Sequence, residues 1–598
     1  MTRSLPVFAA LAFVAAPAFA QDELAENPTH GQRPTQSVSQ APSTSATPQF
    51  VSGTSVAQTI FSNIPGHPTA AIPGFPGFEF DPGTGTADFN RPFGSPNGNW
   101  VLTAQSDDAS TSADEVLIVN GVGVLKEGDV CPWDAANTLG PFDTKIGIND
   151  AGDYVFCMNL APTTTNDDYV MKVTAGPTYN VIAQEGGAVT TIAGATYDDI
   201  LDSVMILADG TVGFQADGID GAVTTSDDEI AELGATLFFR ENTITPGGQM
   251  AGTLTEMAEN IDFEDNFVDP AGTTLLWQGD LTGPTATDDV VVVNNMVVLQ
   301  EGVVIPGSGF PNPIDSSGIV NVDVDFGGNW YARGNNDISE LDWVVRSGAV
   351  VAAVGQPITP GSTELWDDTD FSSCFFAHTG NAIGDYIVAG VTSEDSVRNG
   401  VVVFNGTQVV LRENEPVDLD NNGLFDDGVY FSTFGNDDFI LNDAGEMYFT
   451  ATIRDASGST VGQGFFKKTI TPCAGGPVIE FGVGCAGTTG VAPVLSGIGC
   501  ATPGGTITMA ITDGAPTSQA AIFVGVTPLT QDLGSGCTLY VNPLVPIFVP
   551  LDAVGSVTIP AVIPASAPLV TAYLQAFNGD AGAPLGFTTT NGLQISIQ

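Results

Sequence analysis

One short pattern returns along most of this chain, and it constrains the fold more than anything else in the sequence. Asn149-Asp150-Ala151-Gly152-Asp153-Tyr154-Val155-Phe156 and Asn442-Asp443-Ala444-Gly445-Glu446-Met447-Tyr448-Phe449 are its fullest copies. Looser copies surround Gly98, Gly210, Gly272, Gly328 and Gly384, so that successive glycines stand 54 to 62 residues apart. Each glycine lies in a polar turn between two apolar runs, where a residue with positive φ is required. Further along each unit, turn residues stand between β-branched runs: Asn120-Gly121, Asn294-Asn295, Ser347-Gly348 and Asn405-Gly406. Such pairs are strong hairpin signals because both positions tolerate positive φ. Each unit therefore holds about four strands, and seven such units with no helical periodicity between them predict a seven-bladed β-propeller over residues 49–470.

The last copy, from about Asp437, has material for only three strands. The missing strand is expected at the other end of the chain, where Val56-Ala57-Gln58-Thr59-Ile60-Phe61 precedes Ile64-Pro65-Gly66 as Val298-Leu299-Gln300 precedes Ile305-Pro306-Gly307. The competing architecture is a string of separate β-sandwiches, and the fixed period with its split last copy favours the ring. The turn motif resembles that of bacterial secreted proteins with tandem NxxGxxxF repeats, which look like propellers. Only the copies at Gly152 and Gly445 carry that motif in full. The resemblance implies fold and export, and it implies no established activity.

Export is also legible at the start. Met1 to Ala20 has one cation, Arg3, an apolar run from Leu5 to Ala16, and Ala18-Phe19-Ala20, which together predict a signal peptide cleaved before Gln21. The apolar run is too short to span a bilayer, and no later stretch replaces it. Residues 21–48 are rich in Pro, Ser, Thr and Gln with little to bury, and read as a disordered linker. The chain carries 14 Lys+Arg against 69 Asp+Glu, a formal charge of −55. Phosphate recognition needs a cationic surface, so nucleic acid is excluded as a partner.

The composition changes after Thr469. From there to Gln598 there is no Lys or Arg and there are five acids, Glu480, Asp513, Asp532, Asp552 and Asp580. Short β-rich runs separated by Gly, Pro and Asp predict an antiparallel β-sandwich of seven or eight strands over residues 471–598. The pattern GxGCAGxxG with its terminal NGL run is similar to a short C-terminal sandwich appended to planctomycete exported proteins. Four cysteines lie here, and in an exported chain they read as disulfides, with Cys485 to Cys537 and Cys473 to Cys500 as the preferred pairing among three. Cys131 and Cys157 are candidates to pair across neighbouring strands, leaving Cys374 as a buried inert thiol.

The sharpest chemical motif is Asp418-Leu419-Asp420-Asn421-Asn422-Gly423-Leu424-Phe425-Asp426-Asp427. Its spacing places oxygens of Asp418, Asp420, Asn422 and Asp426 and the Leu424 carbonyl around one point, a cage for structural Ca²⁺. Val429 replaces the closing Glu of an EF-hand, and the loop instead resembles the DxDxDGxxD loops of extracellular propellers such as integrin α chains. Acidic pairs recur before the hairpins, at Asp114-Glu115, Asp167-Asp168, Asp227-Asp228, Asp288-Asp289 and Glu394-Asp395. Glutamates recur after them, at Glu127, Glu185, Glu241, Glu301 and Glu413. Recurrence in every unit points to structural work such as capping turn amides, since a catalytic site is needed once. Arg240 and Arg412 are expected to form ion pairs.

Only His30, His67 and His378 are available for acid–base work, and neither a G-x-S-x-G elbow nor an HExxH occurs. The expected role is a secreted or cell-surface, non-enzymatic binding or structural protein, with no catalytic residues and an extracellular glycan or protein ligand. The alternative is a carbohydrate-active enzyme, a glycoside hydrolase or lyase with its site in the propeller channel.

Overall fold

The computed structural model describes residues 57–597 apart from 83–88, 163–164, 199–200, 222, 225, 262–265, 337–340, 361, 368–372, 395, 423–426, 471–477, 489, 500, 504, 553–554 and 565–566. The expected leader and linker, residues 1–20 and 21–48, lie outside the described residues. The fold is all-β, with antiparallel sheets and, among the described residues, one 3-10 turn at Pro68–Ala70.

Among the described residues, seven sheets follow one another along residues 89–126, 138–184, 201–240, 276–300, 314–353, 375–412 and 429–469. In each sheet the strands pair in chain order. The seventh is completed by the first described strand, Gln58–Ser62, which runs antiparallel to Thr460–Thr469 with Gln58 opposite Lys467 and Ser62 opposite Gly464. The strand expected at 56–61 is thus present one to two residues later.

The middle strands are continuous apolar runs because both of their faces are covered. Val290–Val293, with Val290, Val291 and Val292 fully buried, divides its side chains between two different cores. Seven apolar clusters form this way, each shared by two sheets. Phe93, Val101 and Leu117 of the first sheet meet Ile146, Ile148 and Phe156 of the second. Further clusters join the second to the third, third to fourth, fourth to fifth, fifth to sixth and sixth to seventh. The last links the seventh back to the first, through Ile440, Tyr448 and Phe465 against Trp100, Leu102 and Phe61.

The fourth sheet has three strands where its neighbours have four. Its inner position is held by a shorter segment, bridged at Val268 to Leu275 and drawn towards the fifth sheet. Asn266 donates its backbone N–H and side-chain amide to Asp323 at 3.1 and 3.0 Å, and its carbonyl accepts the Val324 N–H.

The C-terminal unit has a five-stranded antiparallel sheet and a three-stranded one. They share one core that includes Leu495, Met509, Ile522, Val549, Leu574 and Leu593. A separate hairpin, Pro528–Gly534 with Cys537–Val541, brings the described strands to ten, above the expected seven or eight. The runs that sequence reading passed over are Val478–Phe481, Val494–Gly499, Pro528–Gly534 and Val545–Pro550, the last two of which contain prolines.

Candidate functional site

The repeated turns are the first candidates, and their chemistry is taken up by the fold. All seven motif glycines have positive φ, from 69° at Gly272 to 98° at Gly384. In the full copies the asparagine closes its own turn. Asn149 Oδ1 accepts the N–H groups of Ala151 and Asp153 at 3.0 Å, while its amide donates to the Leu207 carbonyl of the third sheet at 3.2 Å.

That outward bond is one of a series joining each turn to the next. Asn97 N–H donates to Asp150 at 2.9 Å, Ala208 N–H to the Pro270 carbonyl at 2.8 Å, and the Thr274 hydroxyl to the Gly328 carbonyl at 3.1 Å. The fifth and sixth turns are joined through a strand residue, Arg346, which donates to Asp325 at 3.3 Å and to the Gly384 carbonyl at 3.2 Å, while Asn381 donates to the Asn442 carbonyl at 3.1 Å and Ala382 N–H to Asp443 at 2.8 Å. Asp443 N–H then donates to the Pro96 carbonyl of the first turn at 2.9 Å, so every junction from first to seventh and back is bonded.

Inside these turns the inner segments of five sheets surround a cavity of about 30 Å³, lined by Phe93, Ile148, Ile206, Val268, Val324 and Phe326 among others.

The acidic loop lies between the sixth and seventh sheets. Carboxylate oxygens of Asp418, Asp420 and Asp427 lie within 4.8 Å of one another. Asn422 N–H donates to Asp418 at 3.1 Å and to Asp420 at 3.0 Å, and its amide donates to Asp420 at 3.0 Å. Two predicted ligands, Leu424 and Asp426, lie outside the described residues. Asp427 enters the cluster instead and also accepts the Leu419 N–H at 2.7 Å. It was the next residue in the same acidic run, and the fixed loop numbering passed over it.

The loop is tied to the closing strand. The Thr59 hydroxyl donates to the Asp418 carbonyl at 2.8 Å, and Thr59 and Asn421 exchange bonds of 3.0 and 2.8 Å. A donor set of three converging carboxylates fits a hard, oxygen-seeking cation.

The recurrent acids separated in sequence come together in space. Glu127 faces Asp114, Glu241 faces Asp228 and Glu301 faces Asp288, and in each pair burial first and the aspartate's charge thereafter raise the glutamate's pKa, that of Glu301 to about 7. Asp289 is pushed up to about 8 by burial and then by Asp280. Glu185 is the exception: despite the cost of burial, amides including that of Asp167, at 2.9 Å, hold its pKa below the usual value. Glu413 accepts the Gly400 N–H at 2.8 Å. The bonds of Glu185 and Glu413 are to backbone amides, as capping requires, whereas the glutamate–aspartate pairings are carboxyl–carboxyl contacts. Arg240 pairs with Asp227, and Arg412 with Glu364, as expected of those arginines.

His378 is buried edge-on to Tyr331, with ring centroids 5.2 Å apart. Burial, and then the nearby Arg333 charge, keep its imidazole neutral. His30 lies outside the described residues.

Cys485 and Cys537 form a disulfide, as expected. Cys473 and Cys500 lie outside the described residues. The pairing considered for Cys131 and Cys157 is corrected: both are buried thiols, as is Cys374. Cys131 packs in the core between the first and second sheets and Cys157 in the core between the second and third, so the second sheet separates them.

A cluster with no sequence signature lies where the C-terminal unit meets the sixth sheet. Glu364, Glu394 and Glu480 bring carboxylate oxygens within 4.8 Å of one another, beside Arg412. Among the described residues no helix is long and apolar enough to cross a membrane. No protein-family model matches the chain, and no curated protein matches it either.

Proposed function

We propose that the seven sheets are the blades of a closed seven-bladed β-propeller, followed by an antiparallel β-sandwich. In this reading the chain is an exported, non-enzymatic surface protein related to the NxxGxxxF repeat proteins, and the propeller is a rigid scaffold for binding or assembly. The observation that carries it is the unbroken series of turn-to-turn hydrogen bonds that begins and ends at Pro96, Asn97 and Asp443. A structure held together by its own repeat motif has used the recurrent residues for rigidity. Its loops then supply the contact surface, for an extracellular glycan or protein. The formal charge of −55 disfavours nucleic acid.

Ca²⁺ belongs to this proposal as a structural ion held by Asp418, Asp420 and Asp427, with Asn422, Leu424 and Asp426 as the other predicted ligands. Bound there, it neutralises adjacent carboxylates and stiffens the loop that holds Thr59 of the closing strand.

The test is thermal unfolding with Ca²⁺ and with excess chelator, for the wild type and Asp420→Ala. At Ca²⁺ a hundredfold above Kd the wild type should gain about 2.7 kcal/mol. The variant should gain nothing. Equal wild-type stability in Ca²⁺ and chelator would remove the ion from the proposal. Turnover of a polysaccharide by the purified chain would overturn the non-enzymatic reading.

A further inference from the structure

In a chain with only 14 cationic side chains, two arginines converge where the C-terminal unit touches the body. Arg412, on the outer strand of the sixth sheet and 4% exposed, grips Glu364 through two bonds of 2.8 and 2.7 Å. It also donates to the Arg398 carbonyl at 2.9 Å, and the Thr392 hydroxyl donates to the same glutamate. Hydrogen bonds cross between the units. Arg398 donates to Ser496 Oγ at 3.2 Å, and the Thr363 N–H donates to the Glu480 carbonyl at 3.2 Å.

Three glutamates, two from the body and one from the C-terminal unit, therefore meet within 4.8 Å. The groups facing Glu480 are Glu364, Glu394, Arg398 and Arg412. Glu415, faced by Lys468, shares the same two arginines, so with all carboxyls ionised the groups hold four negative charges and three positive ones, and Arg412 is bonded to Glu364. One negative charge is in excess among these groups, at a contact that is partly closed to water.

We propose that this contact is a proton-dependent clamp: the C-terminal unit docks most tightly when one of the three carboxyls is protonated, and its hold weakens when all three are ionised. The charge count and the proximity of the groups carry the idea. In support, burial and then the Glu364 charge push the Glu480 carboxyl up to about 8, against the opposing pull of Arg412. An undocked glutamate ionises near pH ~4.3. The raised carboxyl thus contributes to docking fully below that value, and the contribution is lost as pH rises towards about 8. One proton linked to docking changes the equilibrium by about tenfold per pH unit across that window.

Hydrogen exchange of the Thr363 amide in the full chain reads this directly, because that amide donates across the contact. After correction for the intrinsic rate, its protection should fall by about tenfold per pH unit between pH ~6 and ~8. Glu480→Gln, which fixes the neutral form, should abolish the slope while keeping the protection seen in mild acid. Glu394→Gln leaves the C-terminal unit untouched and removes one repelling charge, so the wild-type slope should end at a lower pH. A wild-type amide whose protection is independent of pH overturns the clamp. So does a Glu480→Gln profile parallel to the wild type, or a Glu394→Gln profile identical to it.

Discussion

The seven-sheet body and the C-terminal unit solve the same problem, holding antiparallel sheets together, by opposite means. The body spreads the task over seven apolar cores, a series of turn-to-turn hydrogen bonds, and one strand borrowed from the start of the chain. The C-terminal unit has one core and a disulfide between Cys485 and Cys537. Nearly all the charge is on the body, since only five of the 69 acids lie after Thr469. The closed propeller proposed for the body needs every junction, so damage at one place should be felt throughout. A cross-linked two-sheet unit should lose stability locally.

The strongest way to break this comparison is at the closing strand. Phe61 is 4% exposed and packs against Phe80, Phe89 and Trp100 at centroid distances of 5.0, 6.5 and 6.1 Å. Phe61→Ala removes a ring from the core that joins the seventh sheet to the first, and should cost about 3–5 kcal/mol. Calorimetry should show the whole body unfolding earlier as one unit while the C-terminal transition stays put. Loss of a single sheet, with the remainder of the body unmoved, would mean that the sheets are independent and the cyclic account is wrong.

The next largest effect belongs to the other region. Cys485 and Cys537 are 52 residues apart in sequence. Replacing both by serine frees the unfolded chain from that constraint and should cost about 2–4 kcal/mol. Only the C-terminal transition should fall, and an equal fall in the body would show that the two regions unfold together.

The two regions also differed in how much could be read in advance. The body was legible because its punctuation repeats: turn glycines with positive φ and Asn-Gly hairpins are local demands that the chain must meet in each unit. The three strands of the last copy and the spare one near Gln58 followed from the same count. In the C-terminal unit nothing repeats, and Val545–Pro550 hid two prolines inside a real strand. For the candidate sites the limit was distance along the chain. Asp418 and Asp420 stood out because their spacing is local, whereas Asp427 fell just beyond the template. Glu364 and Glu480 belong to different units, and no motif links residues that meet only after both have folded. The recurrent aspartates and glutamates were each seen, yet their pairing depends on hairpin register that spacing alone does not give.

Those pairs supply the smallest effect and the sharpest contrast. Glu127, Glu241 and Glu301 have raised pKa values, because burial and a facing aspartate both disfavour a second negative charge. A carboxyl of this kind stabilises the fold below the unfolded value, and its contribution is lost as pH rises through the folded value, about 7 for Glu301. In the C-terminal unit Asp580 has the opposite shift. The Thr488 backbone N–H, at 2.7 Å, leads the amides and hydroxyl that hold its pKa below the usual value. Its contribution is present above the unfolded aspartate value and is lost as pH falls through the folded one. With the docking proton removed by Glu480→Gln, the body should therefore melt higher between pH ~8 and ~6, by about 2 °C, while the C-terminal transition is level. Below pH ~4 the C-terminal transition should decline as Asp580 takes up its proton. Parallel shifts of both transitions across the whole range would mean that overall charge, rather than the paired carboxyls of the body, sets the pH response.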